Sequence, residues 1–279
     1  MTRLVTSIAE LREALAALKS ISSETRIGMV PTMGALHDGH FSLVTEARRY
    51  SDHVVVSIFV NPTQFAPNED FDAYPRTLDA DLAKLGEAAA IVFAPNAREM
   101  YPLGYDTIIT VGGPSAGLET DYRPHFFAGV ATIVAKLLIA AAPDIAVFGE
   151  KDYQQLQVVK RLAYDLALPT QIIGAPTLRE GDGLAMSSRN AYLDANERRI
   201  AGQLNTILQD TIAKARLGDL RTAEAAGVAA LKAAGFDSVD YIAIRDAKTL
   251  EETATLERPA RILAAARIGR TRLIDNLAI

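Results

Sequence analysis

Two histidines, His37 and His40, stand in a turn between a short apolar strand (Ile27, Met29, Val30) and residues spaced as a helix (Leu43, Val44, Ala47). A helix start offers unpaired N–H groups and a partial positive charge, so imidazoles there add donors to a phosphate that the backbone already attracts. Gly34 and Gly39 in the same turn allow close approach of backbone to ligand. Lys151 follows another apolar run, and Ser187, Ser188 and Arg189 form a compact set of hydroxyls and a guanidinium, groups that suit anionic oxygens.

Each group also has a plainer reading. An isolated His-x-x-His is most often a pair of partly exposed turn residues. Zinc would need further ligands, and the chain has no cysteine and only two other histidines, His53 and His125. Asn61-Pro62 is an ordinary turn signal, Gln64 and Gln155 suit solvated positions, and Ser187 and Ser188 suit helix caps. Lys151 is less expected where it stands, because the first turn of a helix favours acids.

The elements that must position these residues alternate. Met1 to Lys19 reads as a short strand and an amphipathic helix, with Leu11, Leu15 and Leu18 on one side. Ser42 to Arg49 continues the helix after the histidine turn, and His53 to Val60 is an apolar strand of the kind buried on both faces of a parallel sheet. Leu78 to Leu85 reads as helix, Ala90 to Phe93 and Thr107 to Val111 as strands, Val130 to Ala141 as a buried helix, and Ile145 to Phe148 as strand. Leu156, Val159, Leu162 and Ala163 predict another helix, and Thr170 to Pro176 a last strand and linker.

This alternation predicts an α/β fold with a doubly wound, Rossmann-like parallel sheet over residues 1–176. Ligands of such sheets bind at the carboxyl edge where strand order reverses. Three strands end in polar turns, Pro31 to His40, Asn61 to Phe65 and Gly149 to Gln155, so topology predicts that they converge on one pocket. Arg179 to Ala185 reads as a mobile, glycine-punctuated loop. Helices near 195–217 and 222–234, with strands near 239–244 and 262–268, predict a smaller α+β lid domain over residues 177–279.

The decapeptide Pro31-Thr32-Met33-Gly34-Ala35-Leu36-His37-Asp38-Gly39-His40 resembles the signature of the pantothenate synthetase family, a specific form of the His-x-Gly-His turn of a nucleotidyl-transfer superfamily. The other two strand ends, Tyr74 to Thr77 and Arg270 to Asn276 also match the family pattern, and Met186-Ser187-Ser188-Arg189-Asn190 is similar to the superfamily's Lys-Met-Ser-Lys-Ser loop. The resemblance implies ATP-dependent ligation of pantoate to β-alanine through a pantoyl adenylate, with Mg2+ carried on the phosphates. It implies ATP contacts from Pro31, Thr32, Met33, Gly34, His37, Gly39, His40, Gly149, Lys151, Asp152, Met186, Ser187, Ser188 and Arg189. Pantoate would meet Met33, Asn61, Gln64 and Gln155.

A carboxylate is already a nucleophile, so the first step needs no base. It needs donors for charge that grows on pyrophosphate, and His37, His40, Lys151, Ser187, Ser188 and Arg189 are that set. A cytidylyltransferase-like enzyme would share the His-x-Gly-His turn without requiring the two glutamines, and a non-catalytic nucleotide-binding module would lack donors that act only in the transition state. Where the family pattern reads Arg-Pro-Gly-His-Phe, this chain reads Arg123-Pro124-His125-Phe126-Phe127. The expectation is that His125 supplies the imidazole to an anion from the adjacent position.

Composition narrows the class. With 279 residues, 49% of them hydrophobic and 23% charged, the chain is an ordered globular protein. A net charge of -5 argues against a nucleic-acid footprint, and the absence of cysteine fits a reducing cytoplasm. The N-terminus does not read as a signal peptide, and the longest apolar run, Val130 to Ala142, is interrupted by Lys136 and falls short of the ~20 residues that span a bilayer. The family resemblance implies a homodimer.

Overall fold

The structure, a computed structural model, describes residues 2–66, 69 and 71–279; Met1 of the expected N-terminal strand lies outside them. Six strands form an entirely parallel sheet: β1 (Arg3–Val5), β2 (Ile27–Thr32), β3 (His53–Ile58), β4 (Ile91–Phe93), β5 (Ile145–Gly149) and β6 (Gln171–Ala175). Their spatial order is β1-β4-β3-β2-β5-β6. The chain winds outward from β2 through β3 to β4, then returns to lay β5 against the other side of β2. Strand order therefore reverses between β2 and β5, and a cleft opens at their carboxyl ends.

Near-continuous apolar strands follow from burial of both faces. In β5, Ala146 and Phe148 enter a core with α1 (Ile8–Lys19), while Ile145 and Val147 enter the opposite core with α2 (Asp38–Ala47) and α3 (Leu78–Leu85). Ser7 and Glu10 start α1 with a reciprocal capping box. After β4 come two short helices, α4 (Ala97–Met100) and α5 (Glu119–Tyr122), then α6 (Phe126–Ala141), which is buried almost all round. β5 leads into α7 (Tyr153–Asp165) through a short 3-10 turn, Glu150–Asp152.

The last hundred residues build a second sheet, antiparallel, of β7 (Ser238–Asp246), β8 (Ala260–Ile268) and β9 (Thr271–Ala278). One face, with Ile242, Ile244, Ile262 and Ala264, packs on α8 (Ala195–Ala201), α9 (Gln203–Ala215) and α10 (Leu220–Ala234). The other face sends Ala243 and Leu263 into the core of the first sheet. Among the described residues no helix is long and apolar enough to cross a membrane.

The structure corrects the sequence reading of the elements in three places. Thr107 to Val111 is not a strand. Ile109 and Val111 pack on the first core and the Ile109 N–H donates to Thr132 Oγ1 at 2.9 Å, so the alternation serves packing against α6 rather than a ladder. The helix expected over 195–217 is two helices, divided at Gly202, where a Cβ would lie 2.3 Å from the Asp182 carboxylate. Arg179 to Ala185 is a loop as expected, its ends joined by a β-bridge between those two residues, and Arg179 pairs bidentately with Asp275 at 2.8 and 2.9 Å. The last strand, β9, has no counterpart among the expected strands.

Candidate active site

A cavity of about 780 Å³ occupies the switch point, and all three polar strand ends line it. From the end of β2 come Pro31, Thr32, Met33, His37, Gly39 and His40. His37 caps α2: its Nδ1 accepts the Gly39 N–H at 3.2 Å, while His40 Nδ1 accepts the His37 N–H at 3.3 Å. A neutral imidazole whose Nδ1 accepts must carry its proton on Nε2. Each ring thus keeps one N–H for a ligand, and the two centroids lie 4.1 Å apart.

Both rings are held neutral. Burial, then the charge of Lys151, lowers the pKa of His37, although Asp38 pulls the other way. Burial, then His37 and Lys151, takes His40 down to about 3. At neutral pH the pair therefore donates hydrogen bonds without adding charge.

The turn is shaped from beneath by α3. The buried carboxylate of Asp81 accepts the N–H groups of Ala35 at 2.9 Å and Leu36 at 2.8 Å, and Lys84 Nζ donates to the Leu36 carbonyl at 2.9 Å. These bonds fix two consecutive left-handed residues, Gly34 at φ 85° and Ala35 at φ 51°. Gly34 does not line the cavity, contrary to the expected nucleotide contact. Its missing Cβ would instead sit 3.1 Å from Ile58 and 3.2 Å from Asp81, so glycine serves the backbone here.

The end of β3, beside β2, brings Asn61 and Gln64 to the same cavity. Asn61 is buried, accepts the Tyr101 hydroxyl at 2.7 Å, and donates to Gln64 Oε1 and the Gly129 carbonyl, both at 3.1 Å. Gln64 Nε2 in turn reaches Met33 Sδ at 3.0 Å. After β5, Gly149, Lys151, Asp152 and Gln155 line the cavity; Gln154 borders it too, but is tied by hydrogen bonds to Pro114, Gly117 and Glu119. Lys151 Nζ stands 4.0 Å from Asp152, too far for a hydrogen bond.

Met186, Ser187, Ser188 and Arg189 complete the rim. Ser187 also caps a 3-10 turn through the Arg189 N–H at 3.2 Å, and Ser188 Oγ lies 3.4 Å from the Tyr74 hydroxyl. The donors in this cleft, imidazole, ammonium, hydroxyl and guanidinium, can surround an anion with several charged oxygens.

His125 is exposed and does not line the cavity, which overturns the expected imidazole from that position. Phe126 lines it instead, with the Arg123 guanidinium 3.9 Å from its ring centre. Arg123 binds Glu69 at 2.6 and 2.7 Å. Burial works against the Glu69 charge, but Arg123 outweighs it and holds the carboxyl below its ordinary pKa. Glu69 and Glu119 are lining residues that carried no signal in the sequence, because the partners Arg123 and Arg272 are far along the chain, whereas Arg272 and Asn276, also lining, lie in the stretch Arg270 to Asn276 that matches the family pattern.

A doubly wound sheet with His37-Asp38-Gly39-His40 at its switch point defines the class, the nucleotidyl-transfer superfamily. Within it, the family model described as pantoate-beta-alanine ligase matches residues 3–278, and the chain belongs to that family. It is 53% identical over 281 residues to the pantothenate synthetase of Bradyrhizobium sp. strain BTAi1, covering 99% of this chain and 98% of that one. Against the pantothenate synthetase of Mesorhizobium japonicum the identity is 54% over 278 residues, with 97% and 98% covered. The crystal structure of pantothenate synthetase from Thermus thermophilus superposes with a TM-score of 0.91 at 46% identity, covering 99% of both chains. The pantoate-beta-alanine ligase of Francisella tularensis gives a TM-score of 0.82 at 34% identity, covering 99% of this chain and 97% of that one.

Proposed function

We propose that the cavity between β2 and β5 joins pantoate to β-alanine in two steps. A pantoate carboxylate oxygen bonds to the α-phosphorus of ATP as the bond to pyrophosphate breaks; the β-alanine nitrogen then bonds to the acyl carbon as AMP leaves. His37, His40 and Lys151 serve the α-phosphate, and Ser187, Ser188 and Arg189 serve the departing pyrophosphate. Pro31, Thr32, Gly39, Gly149, Asp152 and Met186 border the nucleotide. Met33, Asn61, Gln64 and Gln155 hold pantoate. Bringing two anions together is the main obstacle, and preorganised donors answer it.

The observation that carries this reading is the shared cavity, which brings the amides of Asn61, Gln64 and Gln155 together with the imidazoles of His37 and His40 and the ammonium of Lys151. The Francisella tularensis relative, described as complexed with β,γ-ATP and β-alanine, supports both substrates. The full-length family match favours the ligase over a cytidylyltransferase-like activity. Magnesium enters as MgATP. The Asp152 carboxylate, on the cavity wall and 45% exposed, fits an ion that phosphates already carry and that keeps several waters.

Residues 177–279 act as a lid on residues 1–176, and the enzyme works as a cytoplasmic homodimer; the family resemblance supports the dimer, and sedimentation would test it. The decisive experiment for the chemistry is isotope exchange. Labelled pyrophosphate should enter ATP when pantoate and magnesium are present and β-alanine is absent. Exchange that is missing, or indifferent to pantoate, would sink the reading.

A further inference from the structure

The turn that carries Lys151 is held from the second sheet. Asn276, on β9 and 2% exposed, donates from one amide nitrogen to two consecutive carbonyls, Glu150 O at 2.9 Å and Lys151 O at 2.8 Å. Those carbonyls belong to the two peptide planes that flank the Lys151 Cα. Because a peptide unit is planar, fixing both planes fixes the φ and ψ of Lys151, and with them the direction of its side chain. A lysine in the first turn of a helix works against the helix dipole, so the backbone does not select this position unaided.

Asn276 is itself oriented. Its Oδ1 accepts Arg261 Nε at 2.6 Å, which leaves only the amide nitrogen to face the carbonyls. Arg261 also pairs with Glu150 at 3.0 Å and lies 3.8 Å from the ring centre of Tyr153, whose hydroxyl donates to the Ala247 carbonyl at 2.8 Å. Glu150 to Tyr153 is therefore clamped by groups from residues beyond 240.

We propose that Asn276, ordered by Arg261, is a positioning residue for Lys151, so that the second sheet aims the lysine used in adenylation. The proposal rests on the role of Lys151 given above. It also explains why a buried amide stands on β9, where an apolar residue would pack as well.

The test is a double-mutant cycle on pantoate-dependent pyrophosphate exchange, using Asn276→Asp and Lys151→Ala singly and together. Aspartate has the same shape and keeps the bond to Arg261, but turns an acceptor toward the two carbonyls. Asn276→Asp should lower the exchange kcat by about 10²-fold, the scale of a misplaced catalytic group, with the pantoate KM unchanged. In the Lys151→Ala background it should add at most about threefold, because coupled residues are not additive. Losses that multiply in full, or an unaffected Asn276→Asp enzyme, would overturn the proposal while leaving Lys151 in place. An unaffected Lys151→Ala enzyme would remove both the lysine and the proposal. Should Asn276→Asp fail to fold, Arg261→Gln enters the same cycle, with the same outcomes deciding.

Discussion

His40 shows how one side chain is set for its task by its surroundings. Its pKa falls from the ordinary 6.5 to about 3, chiefly through burial and then through His37 and Lys151. A depressed histidine binds its proton more readily in the unfolded chain. Its contribution to stability is therefore intact above about pH 6.5 and is lost as the pH falls toward 3, on the order of 2 kcal/mol by pH 5. Urea midpoints measured from pH 7 to pH 5 should fall more steeply for the wild type than for His40→Gln. Parallel slopes would mean that His40 is not held neutral. Lys151 differs in that its setting acts on its direction, through the two carbonyls that Asn276 holds on either side of its Cα.

At the scale of elements, helix α6 and the turn after β3 meet backbone to backbone. A Cβ on Gly129 would lie 2.4 Å from the Thr63 carbonyl oxygen and 2.9 Å from Gln64 N, contacts that no side-chain rotation can relieve. Gly129→Ala must push the turn that carries Asn61 and Gln64. Overpacking of this kind costs about 1–3 kcal/mol. If the amides hold pantoate, the pantoate KM should rise by roughly tenfold or more with the KM for ATP little changed. A folded variant with unaltered pantoate KM would show that the turn tolerates the shift. Helix α3 acts at the end of β2, where Asp81 and Lys84 hold the left-handed turn before His37 without entering the cavity.

Across the whole molecule, burial decides which ion pairs matter. Arg272 on β9 binds Glu119 at 2.7 Å and Asp240 at 2.7 Å, and Tyr241 donates to Glu119 at 3.0 Å. Arg161 and Asp165 also pair at 2.7 Å, with both side chains about half exposed. Breaking a buried pair strands a charge and typically costs about 3–5 kcal/mol, whereas an exposed pair is worth about 0–1 kcal/mol. Glu119→Ala should therefore lower the urea midpoint far more than Asp165→Ala. Equal shifts would mean that the joint between the sheets contributes no more than a surface pair. Arg272 has little slack, for among the described residues its buried Nη2 has no hydrogen-bond partner.

Much of this protein was determined by sequence alone. Apolar runs recording burial on both faces marked out β2, β3 and β5, helical spacing marked α2, α3 and α7, and their alternation sufficed to bring three strand ends to one cleft, because parallel strands share a carboxyl edge. The decapeptide ending at His40 carried the family. Periodicity, however, records that a face is buried and not what covers it. Thr107 to Val111 alternates as a strand does, yet lies on a helix. Arg272, Asp275 and Asn276 interrupt the apolar pattern of β9, and only their distant partners make them tolerable there. Arg272 meets Glu119 across 153 positions and Asn276 meets Glu150 across 126, separations that leave no local trace. His125 and Phe126 are adjacent in the chain, and the phase of α6 alone sends the phenyl ring into the cavity and leaves the imidazole in solvent.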